Sequence, residues 1–145
     1  MFPMRLVLDT NVVMDLLHFA DPRLQPLAAA LTGGRVQLFT DGDCLAELER
    51  VAAYAKFALP ADAQAALLET YRNSVTRCDA DGPEDFVLPR CRDGDDQKFL
   101  VLAARCRAEL LVTRDKMLLR LAGHRRTPPP FAIVTGVAAC ARLTG

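Results

Sequence analysis

Short apolar runs alternate with helix-patterned segments along the whole chain, and this alternation limits the fold more than any other feature. Runs at residues 5–8, 36–40, 75–78, 110–113 and 131–134 have the length of buried strands. Between them lie segments with helical spacing at residues 11–19, 22–31, 41–55, 60–73, 93–108 and 116–121, and a last one at 137–143. Start and stop signals mark several of these. Asp21-Pro22 is a cap followed by a first-turn proline, Gly33-Gly34 is a stop, and Asp41 or Asp43 opens the next helix. Such alternation predicts an α/β chain, a three-layer α/β/α sandwich around a central, mainly parallel sheet. A length of 145 residues predicts one domain, residues 1–145, and the only breaker cluster, Thr127-Pro128-Pro129-Pro130, comes too late to divide it.

In a parallel sheet of this kind, ligands bind beyond the carboxyl ends of the strands. Two of the runs end alike there. Leu6-Val7-Leu8 leads into Asp9-Thr10-Asn11, and Leu111-Val112-Thr113 leads into Arg114-Asp115. Parallel strands place both aspartates at one edge. A third acid, Asp96, opens a helix whose body, from Phe99 to Ala104, is apolar nearly all round and so predicted to be buried. Asp96 shares a column with Phe99, Leu100 and Ala103, which turns it inward. The fourth is Glu47. Around the helix axis it falls about 75° from the centre of the stripe Cys44, Leu48, Val51 and Ala55, whereas Glu49 falls about 125° away, on the solvent side. Asp15, Asp79, Asp81, Glu84 and Asp85 read as solvated surface.

Carboxylates that converge repel one another and have raised pKa values unless a cation neutralises them. An oxygen-rich, histidine-free set suits Mg2+ or Mn2+, ions that activate water and hold phosphate oxygens for in-line displacement. Each acid also has a plainer role open to it. Asp9 fits a strand-to-helix turn, Asp96 and Asp115 fit helix caps, and Glu47 fits a solvated helix edge.

These segments resemble the PIN-domain ribonucleases. Leu6-Val7-Leu8-Asp9-Thr10-Asn11-Val12 is similar to their opening. Ala46-Glu47-Leu48-Glu49-Arg50-Val51 resembles the second-acid segment of their bacterial toxin-like, VapC-like branch. Cys91-Arg92-Asp93-Gly94-Asp95-Asp96-Gln97-Lys98-Phe99-Leu100 is similar to the third, and Leu111-Val112-Thr113-Arg114-Asp115-Lys116 to the fourth. The resemblance runs from about Met4 to Leu143. It implies a PIN-like fold and a metal-dependent endoribonuclease, the toxin of a toxin–antitoxin pair, with Asp9, Glu47, Asp96 and Asp115 as the catalytic and metal-holding acids. It implies supporting roles for Asn11, Thr113 and Asp93, the last as an additional metal-site acid, a homodimer, and an antitoxin partner. Two positions depart from the pattern. Gly94 stands where proline is usual, and Met117 where an acid often follows the fourth aspartate.

Rival chemistries lack their residues. A haloacid-dehalogenase-type phosphatase needs a second aspartate at position 11, which is Asn11. Neither GxGxxG nor GxxxxGK[ST] occurs. A receiver-like domain needs paired acids after the first strand. The remaining alternative is a non-catalytic PIN-like module that binds RNA or protein. Membrane spans are not expected, because the longest apolar run, from Phe99 to Ala104, is far short of the roughly 20 residues required. Without a signal-like leader, and with five scattered cysteines, the expectation is a reducing cytoplasm and free thiols. Met1 to Pro3, ahead of Met4, reads as a misassigned start or a frayed end. His18 and His124, the only histidines, read as surface or core-edge residues.

The formal net charge is zero, with 18 bases and 18 acids. That excludes a histone-like basic binder and an acidic disordered tail. Gathering four acids at one metal site leaves 14 others against the 18 bases. The rest of the molecule is then mildly basic. It is also arginine-rich, 15 of the 18 bases being Arg. Arg90, Arg92, Arg114, Arg125 and Arg126 lie near the expected mouth in sequence and are candidates to hold RNA phosphates.

Overall fold

A computed structural model of the chain describes residues 2–80, 84 and 86–144. Asp81 and Asp85, read above as surface acids, lie outside the described residues, as does Met1. Five strands form one sheet: β1 (Met4–Leu8), β2 (Val36–Thr40), β3 (Val75–Arg77), β4 (Leu110–Val112) and β5 (Ala132–Val134). Their order is β3-β2-β1-β4-β5 and every pairing is parallel. The expected mainly parallel sheet is therefore parallel throughout. The helices are α1 (Thr10–Leu17), α2 (Gln25–Thr32), α3 (Gly42–Ala52), α4 (Ala61–Ser74), α5 (Gln97–Arg105), α6 (Lys116–Arg120) and α7 (Gly136–Thr144). Among the described residues no helix is long and apolar enough to cross a membrane.

Strand alternation sorts the core into two layers. Leu6 and Leu8 of β1, Leu38 of β2, and Leu110 and Val112 of β4 face α1, α2, α3, α4 and α7. Val7, Phe39, Leu111 and Ile133 face α5 and α6 on the other side. The register aligns like with like, Leu6 pairing with Leu38 and Leu110, and Val7 with Phe39 and Leu111. Leu6, Leu38 and Leu110 are 1% exposed or less, so truncating any of them to Ala would cost about 2–5 kcal/mol. No residue of α5 is fully exposed, in keeping with its all-round apolar pattern.

Several boundaries differ from expectation. The segment expected as one helix over 22–31 begins as a tight turn at Pro22–Leu24 before α2. The helix expected over 41–55 stops at Ala52, and Asp41 rather than Asp43 caps it, accepting the Cys44 N–H at 2.9 Å. The helix expected over 93–108 is a tight turn at Gly94–Asp96 followed by α5, which ends at Arg105. There Arg107 takes a left-handed backbone, φ 56°. The Ala108 and Arg107 N–H groups donate to the Ala103 and Ala104 carbonyls, closing a Schellman motif. Gly34, φ 73°, closes α2 in the same way through bonds from Arg35 to Ala30 and from Gly34 to Leu31.

Three acids read as solvated surface are engaged. Asp15 pairs with Arg114 at 3.0 Å. Asp79 pairs with Arg77 and accepts the Gly42 N–H at 2.8 Å. Glu84 is bonded to Arg105, whose guanidinium also reaches Asp41 at 3.1 Å and the Cys78 carbonyl at 2.8 Å. That clasp ties the ends of β2 and β3 to α5. All five cysteines are unpaired and all but Cys78 are buried, Cys44 and Cys106 within the core.

Candidate active site

The sheet order reverses at β1. The chain moves outward through β2 and β3, then crosses to β4 on the other flank and on to β5. The crevice at such a reversal, beyond the carboxyl ends of β1 and β4, is where open α/β sheets hold ligands. Asp9 and Asp115 stand there, one following each strand.

Both aspartates cap the helix that follows them. Asp9 accepts the Asn11 N–H at 3.4 Å at the start of α1, and Asp115 accepts the Met117 N–H at 2.8 Å at the start of α6. The capping alternative thus holds for both, but it occupies only one oxygen of each. The second Asp9 oxygen accepts the Thr113 hydroxyl at 2.7 Å, and that hydroxyl in turn accepts the Asp115 N–H at 3.0 Å. Thr113 is fully buried and Asp9 is 4% exposed. Burial raises the Asp9 pKa. The Thr113 and Asn11 bonds work against that rise, and the charges of Glu47 and Asp115 add to it.

Asp96 makes no cap bond to α5. The capping at this end falls to Asp93, which accepts the Asp95 N–H at 3.0 Å. The Asp96 carboxyl is instead crowded by the neighbouring acids. Its pKa is pushed up to about 7 by partial burial first, then by the approach of the Asp115 carboxyl and the charges of Asp9, Asp115 and Asp93. Acids crowded in this way favour a proton or a cation among them.

Glu47 lies at the border of the buried face of α3, and Glu49 is exposed, as the helical angles predict. Both Glu47 oxygens are engaged. One accepts the Thr10 hydroxyl, and the other meets the Lys98 ammonium at 2.8 Å. The solvated-edge alternative does not describe it. Asn11 reaches Asp9 through its backbone, with its side chain exposed. Sequence reasoning passed over Thr10 and Lys98. The adjacency of Thr10 to Asp9, and the position of Lys98 two residues after Asp96, were the available signals.

All five candidate arginines are exposed. Arg114 is the one among them paired with a described acid, Asp15, and its side chain remains 58% exposed.

A hard divalent cation fits this donor set in kind. The donors are all carboxylate oxygens, Asp9 is buried with a raised pKa, and the pKa of Asp96 is raised as well by burial and by the acids beside it. Among the described residues no three acidic, histidine or cysteine side chains are gathered tightly enough to grip an ion as they stand. Asp9, Asp96 and Asp115 are the side chains that would hold one.

A family model described as the PIN domain matches residues 5–117. That span contains all four acids. No curated protein matches the chain.

Proposed function

The chain belongs to the PIN domain family, whose members are generally nucleases, and from that premise we propose that it is a metal-dependent endoribonuclease. The observation that carries the reading is that Asp9 and Asp115 follow neighbouring strands at the reversal of the sheet and that their charges act on Asp96, which makes no cap bond to its own helix. Asp9, Asp96 and Asp115 would hold Mg2+ or Mn2+, with Glu47 closing the side towards α3. When bound, such an ion supplies positive charge to the phosphate and lowers the pKa of water.

The protein's own groups do the rest. Thr113 fixes the Asp9 carboxylate and, through the Asp115 N–H, the loop that carries the fourth acid. Asp96 gives up its proton when the site is filled. Asp93 fixes the turn that presents Asp96. Arg90, Arg92, Arg125 and Arg126 are exposed and lie outside the helices and strands, and they would hold the phosphates of a bound strand. Arg114 would join them by leaving Asp15.

The order and spacing of the four motifs support the narrower reading as well. It is that of a single-domain toxin of a toxin–antitoxin pair, a cytoplasmic homodimer restrained by a cognate antitoxin. A small DNA-binding protein encoded by the adjacent reading frame would support that physiological role.

The test is cleavage of structured and unstructured RNAs with Mg2+ or Mn2+ by wild type, Asp9→Asn and Asp96→Asn. Wild type should cut and both variants should fail. Equal, background-level cutting by all three would leave a non-catalytic binding module.

A further inference from the structure

The charge around Glu47 differs from that around the other three acids. Among the described residues, Lys98 is the one cation ion-paired with any of the four. Its ammonium lies 2.8 Å from Glu47 and donates to the Asp95 carbonyl at 2.6 Å. The pair is partly buried, with 19% of the Lys98 side chain and 14% of the Glu47 side chain exposed. It is anchored at both ends beside the site. Thr10, which holds the other Glu47 oxygen, follows Asp9, and Asp95 precedes Asp96.

Asp9, Asp96 and Asp115 carry three negative charges when ionised, enough for one divalent ion. Glu47 and Lys98 together carry none. A second divalent ion bound through Glu47 would stand within a few ångströms of an ammonium held in place by a carbonyl, and the two cations would repel.

Resting on the metal-dependent reading above, we propose that Lys98 is a resident cation standing in for a second metal, so that the site takes one divalent ion, on Asp9, Asp96 and Asp115. Lys98 is then a positioning residue. It holds Glu47 against Thr10 and supplies fixed positive charge on the α3 side of the site.

The experiment counts Mn2+ bound to the full chain, by calorimetry and by the spin-resonance signal of the free ion. Wild type and Lys98→Arg should each bind one ion. Lys98→Met and Lys98→Gln, whose folding is checked by thermal melting, free Glu47 and should bind two. Glu47→Gln should keep the single ion, and Asp96→Asn should lose it. Two ions in wild type, or one ion in both neutral Lys98 variants, overturns the proposal while leaving a metal-dependent nuclease in place. No ion bound by any form overturns the nuclease reading and this proposal with it.

Discussion

The Thr113 hydroxyl donates to the Asp9 carboxylate at 2.7 Å while accepting the Asp115 N–H at 3.0 Å, so one fully buried oxygen joins acids that follow different strands. Register brings this about, since Leu8 of β1 pairs with Val112 of β4 and the two strands end level. Thr113→Val keeps the shape and removes the oxygen. It should lower RNA cleavage and Mn2+ affinity about 10–100-fold, the usual cost of losing a group that orients a ligand. Stability should fall by about 1–3 kcal/mol, because the buried Asp9 oxygen loses its donor. Thr113→Ser should restore most of both. Wild-type cleavage by Thr113→Val would sink the assignment.

The Asp96 carboxyl makes the metal-free protein sensitive to pH. Its folded pKa lies above its ordinary value, so between 3.8 and about 7 the folded state binds more protons than the unfolded state. Stability contributed by this group therefore falls as pH rises through that window and levels off above it. Asp96→Asn removes the effect. In chelator-treated protein the variant's melting temperature should exceed that of wild type at pH 8, and the advantage should vanish near pH 4. A constant difference across that range would refute the crowding of these acids.

Asp93 and Asp96 sit in one motif but do different work. Asp93 is exposed and caps the turn, and Asp96 caps nothing. Asp93→Ala should cost about 1 kcal/mol in stability and leave cleavage within a few fold of wild type. Asp96→Ala should abolish cleavage with no comparable loss of stability. Paired melting curves and cleavage rates read both. Equal loss of activity would make Asp93 a metal-site acid, as the family resemblance implies.

Much of this was legible because the physics is local. Apolar runs of strand length, followed at once by Asp9 and Asp115, placed those acids at one sheet edge without further information. The border position of Glu47 follows from helical geometry alone, whereas Asp96 precedes α5 in the Gly94–Asp96 turn, so the helical column expected for it does not apply. The Glu47–Lys98 pair spans 51 residues and joins two helices, so no spacing within one segment could disclose it. The end of α5 shows the same limit. Two helices finish in one motif, and the one closed by Gly34 announces itself while the one closed by Arg107 does not. A left-handed arginine carries no sequence signal, so the helix was expected to run on to Ala108. The strain has a consequence. Arg107→Gly should stabilise the protein by about 0.5–1 kcal/mol, the left-handed penalty less the entropy a glycine adds to the unfolded chain. Denaturant melts decide it, and a destabilised variant would show that the arginine side chain outweighs its backbone strain.

The chemistry of the ends follows from what surrounds the acids. Attack by a neighbouring 2′-hydroxyl is commonly run by histidines as base and acid. The chain has two histidines, and among the described residues neither is hydrogen-bonded to any of the four acids. His18 packs edge-on against Phe19 and Phe57, at ring separations of 4.6 and 5.7 Å, and His124 accepts the Thr127 N–H at 3.0 Å. Water is therefore the expected nucleophile, and cleavage should leave a 5′-phosphate and a 3′-hydroxyl. An RNA with a single 2′-deoxy sugar at the cut site should be cleaved at nearly the rate of the all-ribose strand. Excess chelator should stop both reactions, and Mn2+ should restore them. Labelled oligonucleotides resolved beside ladders of known chemistry identify the ends. A 2′,3′-cyclic phosphate, or a deoxy strand that resists cutting, would assign the attack to the sugar and displace the four acids from its centre.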